Sequence, residues 1–245
     1  MKIKRFTGKA ALHTEAAKLI TQLLKDKPDC TLGFATGSTP IGIYEQLVGM
    51  YAKGRLSFAR ARSFNLDEYV GLTESHPQSY RYYMQHHLFR HTDFDQRNTY
   101  IPNGIAADLE AECRRYDSLL AEHPIDLQLL GIGHNGHIGF NEPGHSLTGE
   151  THLVTLKPET RAANARFFDS EDEVPRQAIT MGMGSILKAK SILLVVTGAD
   201  KAAVVNEALA GPITTACPAS LLQTHANVTV LLDADAGKEL PDAGF

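Results

Sequence analysis

Short β-rich runs alternate along this chain with longer stretches whose apolar residues recur at three- and four-residue spacing. The runs at 31–35, 62–66, 127–131, 192–197 and 228–233 predict strands, with lesser signals near Tyr100 and over 152–156. Between them the periodicity predicts helices over 14–25, 41–50, 79–89, 106–122 and 201–208. Strand and helix in alternation predict an α/β fold. The expected form is doubly wound and Rossmann-like, a mostly parallel sheet flanked by helices on both faces. No repeat, low-complexity tract or Pro/Ser linker divides the pattern, so residues 1–245 are expected to form one domain. Residues 234–245, polar and rich in Asp and Gly, read as a loose tail.

Composition narrows the function classes. A 43% hydrophobic chain of 245 residues can bury a full core, and a net charge of -4 gives no footprint for nucleic acid or an anionic membrane surface. Cys30, Cys113 and Cys217 are few, odd in number and far apart, which fits a reducing compartment. The amino terminus lacks the apolar segment of a signal peptide, and the longest aliphatic run, at 192–196, is too short to span a bilayer. A cytoplasmic protein is expected, with no membrane or nucleic-acid partner.

Open α/β sheets bind ligands outside the carboxyl ends of their strands, and polar groups cluster there in this chain. Thr36-Gly37-Ser38-Thr39-Pro40 follows the first predicted strand, Asp67-Glu68-Tyr69 the second, and Gly198-Ala199-Asp200-Lys201 the run at 192–197. After the run at 127–131 comes the densest segment, Gly133-His134-Asn135-Gly136-His137-Ile138-Gly139-Phe140-Asn141-Glu142. Its glycines permit close backbone approach, and histidine and glutamate are the usual proton carriers near neutral pH.

Each feature also has a plainer explanation. The Thr36–Pro40 segment suits a phosphate held by backbone N–H groups at a helix start, but Ser38 or Thr39 could equally cap that helix. A strand-tip carboxylate at Asp67, favoured over Glu68 by position, could be desolvated into a base, or could be a solvated acidic turn. His134, His137, Glu142 and His145 are metal-capable residue types. The glycine-broken segment puts no two imidazoles on one helical face and HExxH is absent, so no metal is expected. Arg161, Arg166 and Lys201 could be no more than solvated charges.

Taken together, five blocks resemble the glucosamine-6-phosphate deaminase family. They are Leu32-Gly33-Phe34-Ala35-Thr36-Gly37-Ser38-Thr39-Pro40, Phe64-Asn65-Leu66-Asp67-Glu68-Tyr69-Val70-Gly71-Leu72, His76-Pro77-Gln78-Ser79-Tyr80, Gly136-His137-Ile138-Gly139-Phe140-Asn141-Glu142-Pro143 and Asn164-Ala165-Arg166-Phe167-Phe168. The resemblance implies a cofactor-independent enzyme that turns glucosamine 6-phosphate and water into fructose 6-phosphate and ammonium. By class the resemblance implies a hydrolase that works by an isomerase-type mechanism, an aldose–ketose isomerisation coupled to deamination.

The resemblance makes Asp67 the base that moves a proton from C2 to C1, and His137 the ring-opening group with Glu142 orienting or charge-balancing it. The phosphate would be held by Thr36, Gly37, Ser38 and Thr39 with Arg166 and Lys201, under a mobile lid over 157–176. Asn135 stands where the family often has aspartate. An amide there can bond the ring but cannot balance an imidazolium, which shifts weight to Glu142. His152 and Val154 stand where effector-regulated members carry an arginine and a lysine, so hyperbolic kinetics are expected and a monomer is favoured over a homo-oligomer. Two alternatives are a lactonase of the 6-phosphogluconolactonase kind, whose Gly-His motif lacks the Phe-Asn-Glu-Pro that follows here, and a non-catalytic sugar-phosphate sensor.

Overall fold

Runs that are apolar on both sides of the backbone can be buried only in a sheet covered on both faces. The computed structural model, which describes residues 1–168 and 170–241, builds such a sheet. Its strands in chain order are β1 (Lys2–Phe6), β2 (Thr31–Phe34), β3 (Arg62–Asn65), β4 (Asp67–Tyr69), β5 (Thr99–Tyr100), β6 (Leu127–Leu130), β7 (His152–Thr155), β8 (Gln177–Thr180), β9 (Ile192–Val196) and β10 (Val228–Asp233). The helices are α1 (Lys9–Asp26), α2 (Ile41–Ala52), α3 (Tyr80–His87), α4 (Leu109–Glu122), α5 (Pro158–Asn164), α6 (Met183–Leu187) and α7 (Ala202–Ala210).

Seven strands pair in the order β1-β10-β9-β6-β2-β3-β5, all parallel. Alternate residues of the central strands feed two cores. Leu32, Phe34, Leu193 and Val195 meet Leu12, Ile20, Tyr44 and Met84 of α1, α2 and α3 on one face. Phe64, Leu130, Leu194 and Val196 meet Tyr116, Ile186, Val205 and Leu209 of α4, α6 and α7 on the other. The doubly wound arrangement expected from the periodicity is therefore present. No helix among the described residues is long and apolar enough to cross a membrane.

Three strands escape the periodicity. β1 is an edge strand with three basic residues, paired only to β10, so it has no continuous apolar face. β4 and β8 pair antiparallel and β7 joins β8, forming a separate three-stranded sheet. Asp67 thus does not simply end the run at 62–66. The chain leaves the large sheet at Leu66 and Asp67 opens the small one, opposite Thr180. The expected loose tail is corrected as far as residue 241: Ala236 and Leu240 are buried, and Arg5 donates to the carbonyls of Leu240 and Pro241 at 2.9 and 3.0 Å. The rest of that segment, 242–245, lies outside the described residues.

Candidate active site

The strand order β9-β6-β2-β3 sets side by side the four strand ends that carry the suspect groups. From β2 the chain winds one way to β3, and β9 lies on the other side of β6, so the sheet changes direction between β2 and β6. Connections splay apart at such a point and leave a crevice. The Thr36–Pro40 turn and the loop after β6 flank it, with Asp67 and the Gly198–Lys201 turn beyond.

The two adjacent carboxylates divide their tasks. Glu68 is buried and accepts the backbone N–H groups of Tyr69, Tyr80 and Arg81 at 2.8 to 3.0 Å, so it holds the first turn of α3. Burial still raises its carboxyl to about 7, against the pull of those three amides. Asp67 is equally buried, yet its oxygens accept no hydrogen bond among the described residues. Burial, with Glu68 adding to it, raises Asp67 to about 8. A carboxylate that is desolvated and uncommitted is a strong proton acceptor.

Glycines bring the loop after β6 onto Asp67. Gly136 and Gly139 have φ of 83° and 59°, a region costly for other residues. A Cβ at Gly139 would stand 3.3 Å from Asp67 Oδ2, and one at Gly133 would overlap the His137 ring. His137 Nδ1 lies 3.7 Å from Glu142 Oε2, an ion-pair separation longer than a hydrogen bond. Glu142 Oε2 accepts from Asn135 Nδ2 at 2.7 Å, while Oε1 accepts the Thr160 hydroxyl. Burial opposes ionisation of Glu142, but His137, Thr160 and Asn135 together hold its carboxyl down at about 2. Asn135 Oδ1 accepts the backbone N–H of His137 while its Nδ2 donates to Glu142, so Asn135 steers Glu142 and the loop through bonds other than one to the His137 ring.

At the other end of the crevice, Gly37 has φ 95° and Pro40 forms the N-cap of α2 with no side chain capping it. Neither Ser38 nor Thr39 takes the capping role that the sequence left open. Lys201 Nζ donates to the Ile132 carbonyl at 3.0 Å, tying the turn after β9 to the loop after β6. Burial lowers its pKa, with the charge of Arg166 adding to the effect and Asp200 opposing it. Asp200 in turn pairs with His134 at 2.7 Å. Arg166 is exposed and lies over the Phe167 ring at 4.7 Å, close enough to Lys201 for mutual repulsion. Two cations so placed invite a shared anion.

Several contributors were not visible as such in the sequence. Asn164 Nδ2 donates to the Tyr69 hydroxyl at 3.0 Å, and Lys157 Nζ to the Pro143 carbonyl at 2.8 Å; with the Thr160–Glu142 bond these dock α5 over the loop. Asn141 Nδ2 spans the carbonyls of Ile138 and Met181, and Thr180 Oγ1 accepts the Phe140 N–H. All are contacts between distant segments, and only the Asn-Glu-Pro block hinted at any of them.

A family described as glucosamine-6-phosphate isomerases/6-phosphogluconolactonase matches residues 7–231. A glucosamine-6-phosphate deaminase of Geobacillus sp. is 52% identical over 243 residues, covering 99% of this chain and 97% of that one. The solved structure of a monomeric glucosamine-6-phosphate deaminase is 48% identical, with a TM-score of 0.94 over 98% of this chain and all of that one. The 6-phosphogluconolactonase of Trypanosoma brucei, 18% identical with a TM-score of 0.76 over 98% of each chain, shares the fold. The expectation of a hydrolase is corrected by these relatives, which carry isomerase and deaminase names. With its fold, its motifs and nearly its whole length matched, the chain belongs to the glucosamine-6-phosphate isomerase/6-phosphogluconolactonase family.

Proposed function

We propose that this protein is a glucosamine-6-phosphate deaminase, acting as a single domain in the cytoplasm on a small sugar phosphate. The observation that carries the reading is Asp67: a buried, uncommitted carboxylate against the glycine loop that presents His137. Moving a proton between neighbouring carbons needs one base that reaches both, in a site dry enough to make a carboxylate basic. The 48–52% identity to deaminases over nearly the full chain supports the same conclusion.

In this reading His137 moves a proton at the ring oxygen, opening the pyranose to the free aldehyde. Glu142 stays ionised beside it, held by Asn135 and Thr160. Asp67 then removes the C2 proton, giving an enolamine, and returns it to C1, which leaves an imine at C2. Water adds to that carbon and ammonium departs, leaving fructose 6-phosphate. The amides and hydroxyls of Thr36, Gly37, Ser38 and Thr39, with Arg166 and Lys201, bind the phosphate. The segment at 157–176 acts as the lid that keeps water from the enolamine.

The assay is direct. Purified protein incubated with glucosamine 6-phosphate should release ammonium and fructose 6-phosphate in equal amounts. Hydrolysis of 6-phosphogluconolactone without ammonium release from the amino sugar would place the protein among the lactonases.

A further inference from the structure

The turn between β2 and α2 can bind phosphate only if its N–H groups face the crevice, and two tyrosine hydroxyls bear on that orientation. Tyr44, fully buried on α2, donates its hydroxyl to the Ala35 carbonyl at 2.6 Å. Tyr83, half-buried on α3, donates to the Gly37 carbonyl at 2.6 Å. The C=O and N–H of a trans peptide point in opposite directions, and this chain has no cis peptide among its described residues. Pinning the oxygen of Gly37 therefore turns the N–H of Ser38 the other way, and pinning that of Ala35 does the same for Thr36. Gly37, at φ 95°, is the residue of the turn best able to swing if released. Burial raises the Tyr83 phenol above its ordinary range, so it stays a donor at any working pH.

The helix that carries Tyr83 is itself fixed by Glu68, whose carboxylate receives the N–H groups of Tyr80 and Arg81. Glu68 is the neighbour of Asp67 in β4. One short helix thus runs from the strand of the buried carboxylate to the Gly37 carbonyl of the turn.

We propose that Tyr83 is a positioning residue for phosphate: by holding the Gly37 carbonyl outward it aims the Ser38 N–H into the crevice. Ser38, exposed and giving no capping bond to α2, would otherwise share its turn with a glycine free to present either face of the peptide. The inference rests on the phosphate reading of this turn, and it deepens that reading by naming what keeps the turn in its binding conformation before the ligand arrives. Preorganisation of this kind lowers the ordering cost of binding.

The test is Tyr83→Phe, which keeps the ring and removes the hydroxyl. Inorganic phosphate should inhibit the variant roughly three- to ten-fold more weakly, and KM for glucosamine 6-phosphate should rise by a similar factor with a smaller change in kcat. The thermal midpoint should stay within about 4 °C of wild type. Wild-type values for both constants would overturn the proposal while leaving the phosphate site intact, as would a fall in kcat at unchanged KM. Failure of inorganic phosphate to compete with substrate in the wild type would instead remove the phosphate reading of the turn, and the proposal with it.

Discussion

Gly139 lies against Asp67: a Cβ on the glycine would stand 3.3 Å from the Asp67 Oδ2 and 3.0 Å from the Thr180 Oγ1. With φ at 59°, the position is closed to larger residues by conformation and by space. Gly139→Ala should therefore cost about 1 to 2 kcal/mol of stability. It should also lower kcat more than ten-fold by displacing Asp67, and thermal denaturation with steady-state kinetics checks both. A stable, fully active variant would show that the loop and the carboxylate move independently.

The burial of Asp67 should appear in pH-dependent stability. Burial first, then Glu68, raises its folded pKa to about 8, whereas an unfolded aspartate titrates near the usual ~4. Between those values the folded protein keeps a proton that the unfolded chain has lost, so this contribution to stability is full below the unfolded pKa and is lost as pH rises through the folded one. Asp67→Asn cannot titrate, and Glu68 is common to both proteins. The unfolding free energy of the variant minus that of wild type, from denaturant titration, should grow from pH 4 to pH 8, by at most ~1.4 kcal/mol per pH unit. A difference independent of pH would mean that Asp67 ionises normally.

Asn135→Asp places a second carboxylate where an amide now donates to Glu142 Oε2 at 2.7 Å. Like charges at that distance share a proton, so the Glu142 carboxyl should rise from its present low value. The acid limb of the kcat/KM profile should move to higher pH. An unchanged profile would separate Glu142 from the proton transfers.

Arg166→Ala and Lys201→Ala should each raise KM for the phosphorylated sugar roughly ten- to hundred-fold, the loss of one charged hydrogen-bond partner. Because Arg166 lowers the Lys201 pKa, removing it should also raise that pKa, which titration of a labelled lysine can follow. Unchanged Michaelis constants in both variants would leave the two residues as solvated charges.

The large sheet apart from its edge strand β1, with its four functional strand ends, is legible because fully buried parallel strands write continuous apolar runs, as at 192–196, and because glycine marks turns that need unusual φ. The small sheet is legible only at β7, by the lesser signal over 152–156. Its strands are three or four residues long, and Asp67-Glu68-Tyr69 carries no apolar alternation, so β4 read as a loop. Glu68 is set apart from Asp67 only by N–H groups that the pattern cannot place, Tyr69 of its own strand and Tyr80 and Arg81 of α3. Thr160, Asn164 and Tyr83 act on partners 18, 95 and 46 residues away, a coupling that local pattern cannot express. The tail is obscure for a related reason: Ala236 and Leu240 are too sparse to signal a core contact, yet both join the core that holds Leu232 and Val230, and Arg5 bonds the Leu240 carbonyl.

The role proposed for Asp67 is to carry the proton from C2 to C1. Glucosamine 6-phosphate converted in heavy water measures it, with deuterium at C1 of the product followed by mass spectrometry alongside turnover. Wild type should incorporate label at C1 to the extent that Asp67 exchanges with solvent. Asp67→Asn should still bind substrate while losing ~10² to 10⁴ in kcat, and the rate at which C1-labelled product forms should fall with it. Near wild-type turnover and labelling in that variant would contradict the account.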